Sequence, residues 1–190
     1  MKVRSRVVPM AYGDVLELGC GGGINMEFYD WSKVSSFTGL DPSPGLLEMS
    51  EAAVGRANLA EKGVDGRIIM GRGEAMPFAD HSFDSVLTTF TLCSVQTPDR
   101  VLADIKRVLK PGGIAIFLEH GAAPDADPAK WQRRIEPLWK RLAGNCHLTR
   151  PISSAYQEAG FTVEMMGAHY MPKTPRPFGW IEYGVARVPN

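Results

Sequence analysis

The sequence has few cysteines, and they lie far apart. Only Cys20, Cys93 and Cys146 occur among the 190 residues. An odd number of scattered cysteines is typical of free thiols, so we expect no disulfide framework and a reducing compartment such as the cytoplasm. The sequence also contains no C-x-x-C or H-x-x-x-H pair, and its four histidines are scattered. Because such paired ligands usually mark zinc sites, the sequence predicts no metal site.

An excess of charge and long hydrophobic runs are also missing. The 21 Lys and Arg residues balance 21 Asp and Glu residues. This balance argues against binding to a nucleic-acid backbone, which needs clustered positive charge. No apolar run approaches the roughly 18 residues of a membrane-spanning helix, and no apolar segment follows the basic start as in a secretory leader. We therefore expect no nucleic-acid partner, no integral membrane segment and no leader.

Strand and helix patterns alternate along the chain. Hydrophobic residues make up 44% of the sequence, so a chain of this length can bury a core and residues 1–190 are expected to form a single domain. Alternation of this kind is typical of a parallel sheet with helices on both faces. The patterns predict later strands over residues 67–70, 84–90, 114–118, 161–166 and 180–188, the last two as an antiparallel pair. Helices are predicted after Ser43-Pro44, before the breaker at residues 111–113, and over residues 151–159.

The most distinctive segment is a glycine-rich turn after the first predicted strand. An apolar run over residues 15–18 stops at Gly19, and four of the five residues 19–23 are glycine. Glycine permits positive φ and close approach of a ligand to the main chain. In open α/β sheets, such a turn between a strand and a helix binds a nucleotide beyond the carboxyl ends of the strands. We predict a site of this type here, with the carboxylate of Glu17 facing the ligand.

Other segments complete a recognisable pattern. They are FTGLDPS, GRGEAMPF, SFDSVLTTFTLCS, RVLKPGG and LEHG, which begin at residues 37, 71, 82, 107 and 118. With DVLELGCGGG from residue 14, they resemble class I S-adenosylmethionine (SAM)-dependent methyltransferases with a type 11 domain, from about residue 15 to residue 161. The resemblance implies SAM as the cofactor. It also implies a Rossmann-like doubly wound sheet of about seven strands, mostly parallel with an antiparallel last strand.

The resemblance also implies which residues bind the cofactor. Asp41, at the tip of the second strand, can accept both ribose hydroxyls in a charge-assisted arrangement. The loop after the third strand edges the adenine, although Arg72 stands where the family commonly carries an acidic residue and cannot accept from the adenine amino group. The predicted cofactor-binding residues are Glu17, Gly19, Cys20, Gly21, Gly22, Gly23, Asp41, Pro42, Ser43, Arg72, Gly73, Glu74 and Thr91.

Two histidines are the candidate general bases. His120 follows the fifth strand at the rim of the predicted site, and His147 lies beside Cys146. A base is optional for methyl transfer, because a thiol with a reference pKa near 8.5 is partly ionised near neutral pH, whereas a phenol or carbon acid needs more help. A histidine at a rim is also often a hydrogen-bonded structural residue, so both interpretations stay open.

The tail carries a narrower resemblance. The pattern W-x-x-R-x-x-P-x-W from Trp131 and GNCH from Gly144 resemble the methyltransferase-like branch that includes thiol S-methyltransferases. By analogy this implies a small lipophilic acceptor: a thiol, a phenol or quinone, or a lipid amine. Residues 121–150 are then a helical insertion on the substrate side, or a surface helix packed on the sheet. Relatives usually carry a longer N-terminal cap, so we expect residues 1–11 to cover little of the pocket.

Two other functions stay open. A nicotinamide-dependent oxidoreductase needs G-x-G-x-x-G, and Ile24 at the third glycine position argues against it. A catalytically inactive SAM-fold binding protein is the alternative from another class, favoured by Arg72 and by the short N-terminal segment. The sequence does not determine the oligomeric state.

Overall fold

The fold is built on one seven-stranded sheet. The structure, a computed structural model, describes residues 2–189. The spatial order of the strands is β3-β2-β1-β4-β5-β7-β6. β7 runs antiparallel to both neighbours, and all other pairings are parallel, so the predicted sheet is confirmed. The strands are β1 (Gly13–Leu18), β2 (Val34–Asp41), β3 (Asp65–Met70), β4 (Phe83–Thr89), β5 (Leu109–His120), β6 (Thr162–Tyr170) and β7 (Trp180–Arg187).

Helices connect the strands and cover the sheet. They are α1 (Arg4–Val7), α2 (Pro44–Ala57), α3 (Pro98–Val108), α4 (Ala126–Leu142), α5 (Ile152–Glu158) and α6 (Arg176–Gly179), with 3₁₀ turns at Val8–Met10, Ile24–Glu27, Trp31–Lys33 and Ala60–Lys62. α3 shows why these segments fold as helices. Proline occupies its first position, and its fully buried residues recur at helical spacing, at Val101, Leu102, Ile105 and Val108. None of the helices in the described part of the chain has the length and hydrophobicity needed to cross a membrane.

The core lies on both faces of the sheet. Successive residues of a strand point to opposite faces. In β4, Val86 therefore joins one buried cluster, with α3 and α5, while Leu87 joins the other, with α2 and the N-terminal segment. β5, which pairs with β4 and β7, alternates in the same way, with Ile116 on one face and Phe117 on the other. The sheet is thus packed on both faces, and its strand ends are held in place by this packing.

Two local predictions differ from the structure. The glycine turn leads into the short 3₁₀ turn Ile24–Glu27 and not into an α-helix. α3 ends at Val108, because Leu109 has extended backbone (ψ 134°) and already pairs with Phe83 at the irregular start of β5. The residues 111–113 that were expected to end the helix therefore lie inside that strand.

Topology brings the ends of five strands to one edge. β1 to β5 are mutually parallel, so Leu18, Asp41, Met70, Thr89 and His120 lie at the same carboxyl edge. β1 sits between β2 and β4, where the strand order reverses. Ligands of open α/β sheets bind at such a switch point.

Candidate cofactor and acceptor site

A cavity of about 590 Å³ lies at this edge of the sheet. Its volume is in the range of small-molecule sites. The loops after β1, β2, β3 and β4 and the segment after α4 form its walls. Most of the predicted cofactor-binding residues line it, namely Gly19, Gly21, Asp41, Pro42, Ser43, Arg72, Gly73, Glu74 and Thr91.

The glycine turn owes its shape to two tight approaches. Gly19 has φ +70°, and a Cβ built there would lie 2.3 Å from Thr91 Oγ1. Gly23 has φ +76°, and its Cβ would lie 2.5 Å from Ala53 Cβ on α2. Both the left-handed backbone and the lack of space require glycine. The turn therefore packs closely against Thr91 and Ala53. Its main chain at Gly19 and Gly21 lines the cavity.

Asp41 connects the turn to the end of β2. Its Oδ2 accepts a hydrogen bond from the Gly21 N–H at 3.0 Å, and its Oδ1 accepts one from the Ser43 N–H at 2.9 Å. The side chain is only 6% exposed although it lines the cavity. Each carboxylate oxygen keeps a further lone pair after these bonds. A fixed carboxylate with two free acceptor sites fits a ribose diol.

The loop after β3 is tied to the loop after β4. Glu74 Oε1 accepts hydrogen bonds from the backbone N–H of Gln96 at 2.9 Å and of Thr97 at 3.4 Å. A Cβ at Gly73 would lie 3.1 Å from the Leu18 side chain, so this backbone packs closely over the end of β1. Arg72 is exposed at the cavity wall. The loop is thus positioned through Gly73 and Glu74.

Glu17 does not line the cavity. Glu17 is two residues after Val15 in β1, so both side chains point to the same face of the sheet. That face packs under α2 and the N-terminal segment. Its oxygens accept hydrogen bonds from Asn25 Nδ2 and from the Tyr29 hydroxyl, both at 2.8 Å. Burial raises the pKa of Glu17 to about 7, although these bonds act in the opposite direction. The carboxylate expected to face the ligand is instead part of the support beneath the turn.

The remaining predicted residues of the turn also lie behind the cavity wall. Cys20 is buried, and its sulfur accepts a hydrogen bond from Ser50 Oγ at 3.5 Å. A Cβ at Gly22 would lie 3.2 Å from Met49 on α2. Cys20, Gly22 and Gly23 therefore dock the turn on α2 and β2, and only the alternate positions Gly19 and Gly21 reach the cavity.

A buried carboxylate that the sequence analysis missed shapes the loop after β4. Glu119, in β5, is fully buried and accepts hydrogen bonds from the backbone N–H of Thr91 at 3.1 Å and of Cys93 at 3.2 Å. Burial raises the pKa of Glu119 from its usual value. The LEHG segment contains Glu119 and was the available signal, although nothing in it shows that the side chain points inward.

None of the described residues 2–11 lines the cavity, as expected, but this segment packs beneath it. Val7 and Val8 are fully buried against the sheet. Arg4 donates hydrogen bonds to Asn25 Oδ1 and, at 2.8 Å, to Thr89 Oγ1. Since Thr89 lines the cavity, this short segment supports the cavity from below.

Several other lining residues were not predicted. Asn145 donates from Nδ2 to the Ser94 carbonyl at 2.8 Å, which ties the segment after α4 to the loop after β4. Phe90 has φ +54°, an unusual conformation for a bulky residue and one that is common at functional sites. The GNCH segment signalled Gly144 and Asn145, but backbone strain at Phe90 has no sequence signal. The full set of missed residues is Leu18, Leu46, Gly71, Thr89, Phe90, Ser94, Val95, Gln96, Ala143, Gly144 and Asn145.

Neither candidate base lines the cavity. The ring of His120 packs on Phe90, with centroids 4.7 Å apart, and its Nδ1 lies 3.5 Å from Cys146 Sγ. His147 Nδ1 lies 3.4 Å from Glu136 Oε1, and its backbone N–H donates to the Cys93 carbonyl at 2.8 Å. His120 therefore lies behind Phe90, which forms the cavity wall. His147 ties the segment after α4 to the loop after β4.

Comparisons with known proteins identify the family of this chain. Residues 16–117 match the methyltransferase domain family. Thiol S-methyltransferase TMT1B of Rattus norvegicus is 38% identical over 173 residues, which cover 90% of this chain and 66% of that relative. The chain thus spans about two thirds of the relative's length.

Solved structures share the fold. A SAM-dependent methyltransferase from Methanosarcina mazei superimposes with a TM-score of 0.74 at 18% identity, covering 100% of this chain and 99% of that one. The [4+2]-cyclase SpnF superimposes with a TM-score of 0.72 at 17% identity, covering 99% and 80%. At these identities the likeness shows the fold alone.

The chain belongs to the methyltransferase domain family, and it shares its fold with SAM-dependent methyltransferases. The predictions of the family, of the fold and of SAM as the cofactor are confirmed. The glycine turn, the fixed Asp41 carboxylate and the cavity volume fit this cofactor.

Proposed function

We propose that this protein transfers the methyl group of SAM to the sulfur of a small lipophilic thiol. The observation that carries the proposal is the 38% identity to a thiol S-methyltransferase, which extends over 90% of the chain and so includes the cofactor loops and the segment after α4. The cavity supports it, because none of the described histidines lines the walls and a thiol acceptor needs little help from a base.

The cofactor loops hold one half of the site. When bound, SAM supplies an activated methyl group on a sulfonium, so the hard chemistry belongs to the cofactor. Asp41 accepts the ribose hydroxyls, the Gly73–Glu74 backbone borders the adenine, and Gly19 and Gly21 let the main chain approach the cofactor closely. These contacts would hold the cofactor beside the loop after β4.

The other half of the site receives the acceptor. We propose that residues 121–150 form the acceptor side, because Ala143, Gly144 and Asn145 line the cavity. Phe90 and Val95 add apolar surface that suits a lipophilic molecule. The protein contributes proximity and alignment, which are worth up to about 7–11 kcal/mol in favourable systems. The thiol ionises in water, and no side chain of the cavity needs to take its proton.

A panel of acceptors tests the proposal. The protein is incubated with SAM and a matched set of one aryl or alkyl skeleton bearing a thiol, a phenol or an amine, together with a quinol, and the products are identified by mass spectrometry. We expect S-methylation of the thiol and a rate that rises with pH up to the pKa of the acceptor thiol itself. Methylation only of oxygen or nitrogen, or a pH midpoint that stays constant among thiols of different pKa, contradicts the proposal.

The same panel distinguishes a second function. SpnF shares this fold and is described as a cyclase, so the fold alone does not fix the reaction. SAM binding without methylated product from any acceptor would favour a binding protein without turnover. An Asp41→Ala variant serves as the control, because any true product must diminish with it.

We also propose that the protein works in a reducing compartment such as the cytoplasm. All three cysteines are free. Cys93 and Cys146 are neighbours, and an oxidising compartment would favour a disulfide between them. Fractionation of cells that express the tagged protein would place it with a cytoplasmic marker enzyme. Recovery with membranes or mitochondria would contradict this placement.

A further inference from the structure

Three soft metal-ligand atoms meet behind the cavity wall. Cys93 lies in the loop after β4, His120 is the last residue of β5, and Cys146 lies in the segment after α4. The two sulfur atoms are 3.7 Å apart, and Cys146 Sγ is 3.5 Å from His120 Nδ1. The three ligand atoms all lie within 4.8 Å of one another. The fold alone brings them together, because no local spacing motif contains them.

These separations match the edges of a tetrahedral metal site. With metal–sulfur bonds near 2.3 Å and metal–nitrogen bonds near 2.0–2.1 Å, tetrahedral angles place two sulfurs about 3.8 Å apart and a sulfur and a nitrogen about 3.6 Å apart. The observed 3.7 Å and 3.5 Å agree with both values. A disulfide, in contrast, needs an S–S bond of about 2.05 Å and an oxidant. Two of the three separations therefore already match those of a metal site, and the third, between Cys93 and His120, lies within 4.8 Å.

We propose that Cys93, His120 and Cys146 bind a divalent ion of the zinc class through two thiolates and one imidazole nitrogen. Two thiolates neutralise a divalent ion, so the occupied cluster carries no net charge into its buried surroundings. Thiolate and imidazole are the ligands that select zinc over the harder cations. A three-residue site leaves one position for water or another donor. Both thiols release their protons to solvent when the ion binds.

The surroundings hold the ligands in place. Cys93 is fixed on both sides of its backbone, because its N–H donates to Glu119 and its carbonyl accepts from the His147 N–H. Phe90 packs on the ring of His120. Apolar side chains enclose the two sulfurs, including Ile135, Leu148, Trp139 and Phe178. Metal sites depend on such supporting contacts for ligand orientation and for exclusion of water.

The indole of Trp139 adds an independent observation. Its Nε1 is buried without a hydrogen-bond partner in the described part of the chain. The Trp139 side chain packs in the same cluster as Cys146. A buried donor with no other partner fits a sulfur that carries negative charge, as a metal-bound thiolate does.

Binding would fix one wall of the cavity. Cys146 follows Asn145, which lines the cavity, and Cys93 precedes Ser94, which lines it as well. The ion would therefore join the loop after β4, the end of β5 and the segment after α4. This inference stands on the geometry of the cluster and does not depend on the acceptor proposed above.

Cobalt titration of the full chain tests the site. The reduced, chelator-treated protein is titrated with Co²⁺ without oxygen, and Zn²⁺ is then added in competition. We expect one equivalent per chain, with near-ultraviolet thiolate-to-cobalt absorption and intense visible bands of tetrahedral Co²⁺, which Zn²⁺ abolishes. Cys93→Ser and Cys146→Ser should each lower the affinity at least about tenfold. Saturating Zn²⁺ should raise Tm in the original chain and not in the double variant.

Matched variants provide the controls. Cys20→Ser removes a thiol outside the cluster and His169→Gln an imidazole outside it, and both should keep the stoichiometry and the absorption. Metal uptake without thiolate absorption would overturn the proposal, and so would Cys93 and Cys146 variants that bind Co²⁺ as tightly as the original chain. If those variants fail to fold, the absence of thiolate-to-cobalt absorption in the unmodified protein is itself sufficient to overturn it.

Discussion

At the residue scale, Asp41 is the side chain on which the cofactor site depends most. Its carboxylate is held by the N–H groups of Gly21 and Ser43, so it is oriented before any ligand arrives. Preorganisation of this kind lowers the cost of binding. A carboxylate that accepts two ribose hydroxyls makes charge-assisted bonds, which are stronger than neutral ones.

Replacing Asp41 tests this role. Asp41→Ala removes both acceptors and also frees the glycine turn, so the Kd for SAM should rise more than about tenfold, or about 1.4 kcal/mol. Calorimetry measures this directly. Asp65→Ala, at the exposed opposite end of the neighbouring strand β3, is the matched control and should leave the affinity unchanged. Equal affinities of the two variants would remove Asp41 from the site.

Glu17 gives the molecule a pH-dependent stability. Its pKa is raised from 4.5 to about 7 in the folded chain, chiefly by burial. Between these values the folded state binds more protons than the unfolded state, so the free energy of unfolding falls as pH rises through this window and levels off above about 7. At 1.36 kcal/mol per unit, the loss amounts to about 3 kcal/mol.

The Glu17→Gln variant isolates this effect. The amide can still accept from Asn25 and can donate to the Tyr29 oxygen, but it does not titrate. Urea unfolding from pH 5 to pH 8 should show a smaller decline in stability for this variant than for the original chain. Parallel stability curves for the two proteins would contradict the assignment.

At the scale of the elements, the glycine turn is the most constrained segment. Gly19→Ala places a Cβ 2.3 Å from Thr91 Oγ1 on a backbone with φ +70°. Such strain costs on the order of 1–3 kcal/mol, so the variant should lose stability by about this amount and lose most of its affinity for SAM. Denaturant unfolding and calorimetry measure the two effects.

Gly55 is a glycine whose replacement by alanine should stabilise the chain. Gly55 lies inside α2, and a Cβ there meets open space. Gly55→Ala should therefore stabilise the chain by up to about 1 kcal/mol through helix propensity, with unchanged SAM affinity. If both substitutions shift stability in the same direction, the distinction between the two glycines drawn from backbone and packing is wrong.

Some element boundaries could be predicted from the sequence and others could not. Short apolar runs with clear breakers, such as residues 84–90, fall within a residue of the observed β4. Leu109 was assigned to a helix because its apolar side chain continues the stripe of α3, yet pairing with Phe83 takes it into β5. Tertiary hydrogen bonds decide such boundaries, and periodicity does not contain them.

The cofactor half of the site was easier to predict than the acceptor half. The residues that line it follow strand ends directly, and strand ends meet at one edge in a parallel sheet. Whether Glu17 faces the ligand depends on strand parity and on its partners Asn25 and Tyr29. The meeting of Cys93, His120 and Cys146 depends on how the segment after α4 folds back, which no local pattern encodes.

At the scale of the whole molecule, cofactor binding should stabilise the fold. The cavity joins loops from four strands with the segment after α4, so an occupied cavity links parts that are far apart in sequence. A ligand at one hundred times its Kd stabilises a protein by about 2.7 kcal/mol. For a chain of this length, that corresponds to a rise in Tm of about 5–11 °C. Asp41→Ala should show a much smaller rise at the same SAM concentration, and an equal rise would contradict the account.

The central claim is that the cleft over the ends of β1 and β4 is a SAM site and not a nicotinamide site. Calorimetric titration of the intact protein with SAM, with its demethylated product and with NAD tests this claim directly. We predict one binding site per chain for SAM and for the demethylated product, and no heat with NAD. Binding of NAD together with an absence of heat from SAM would contradict the account.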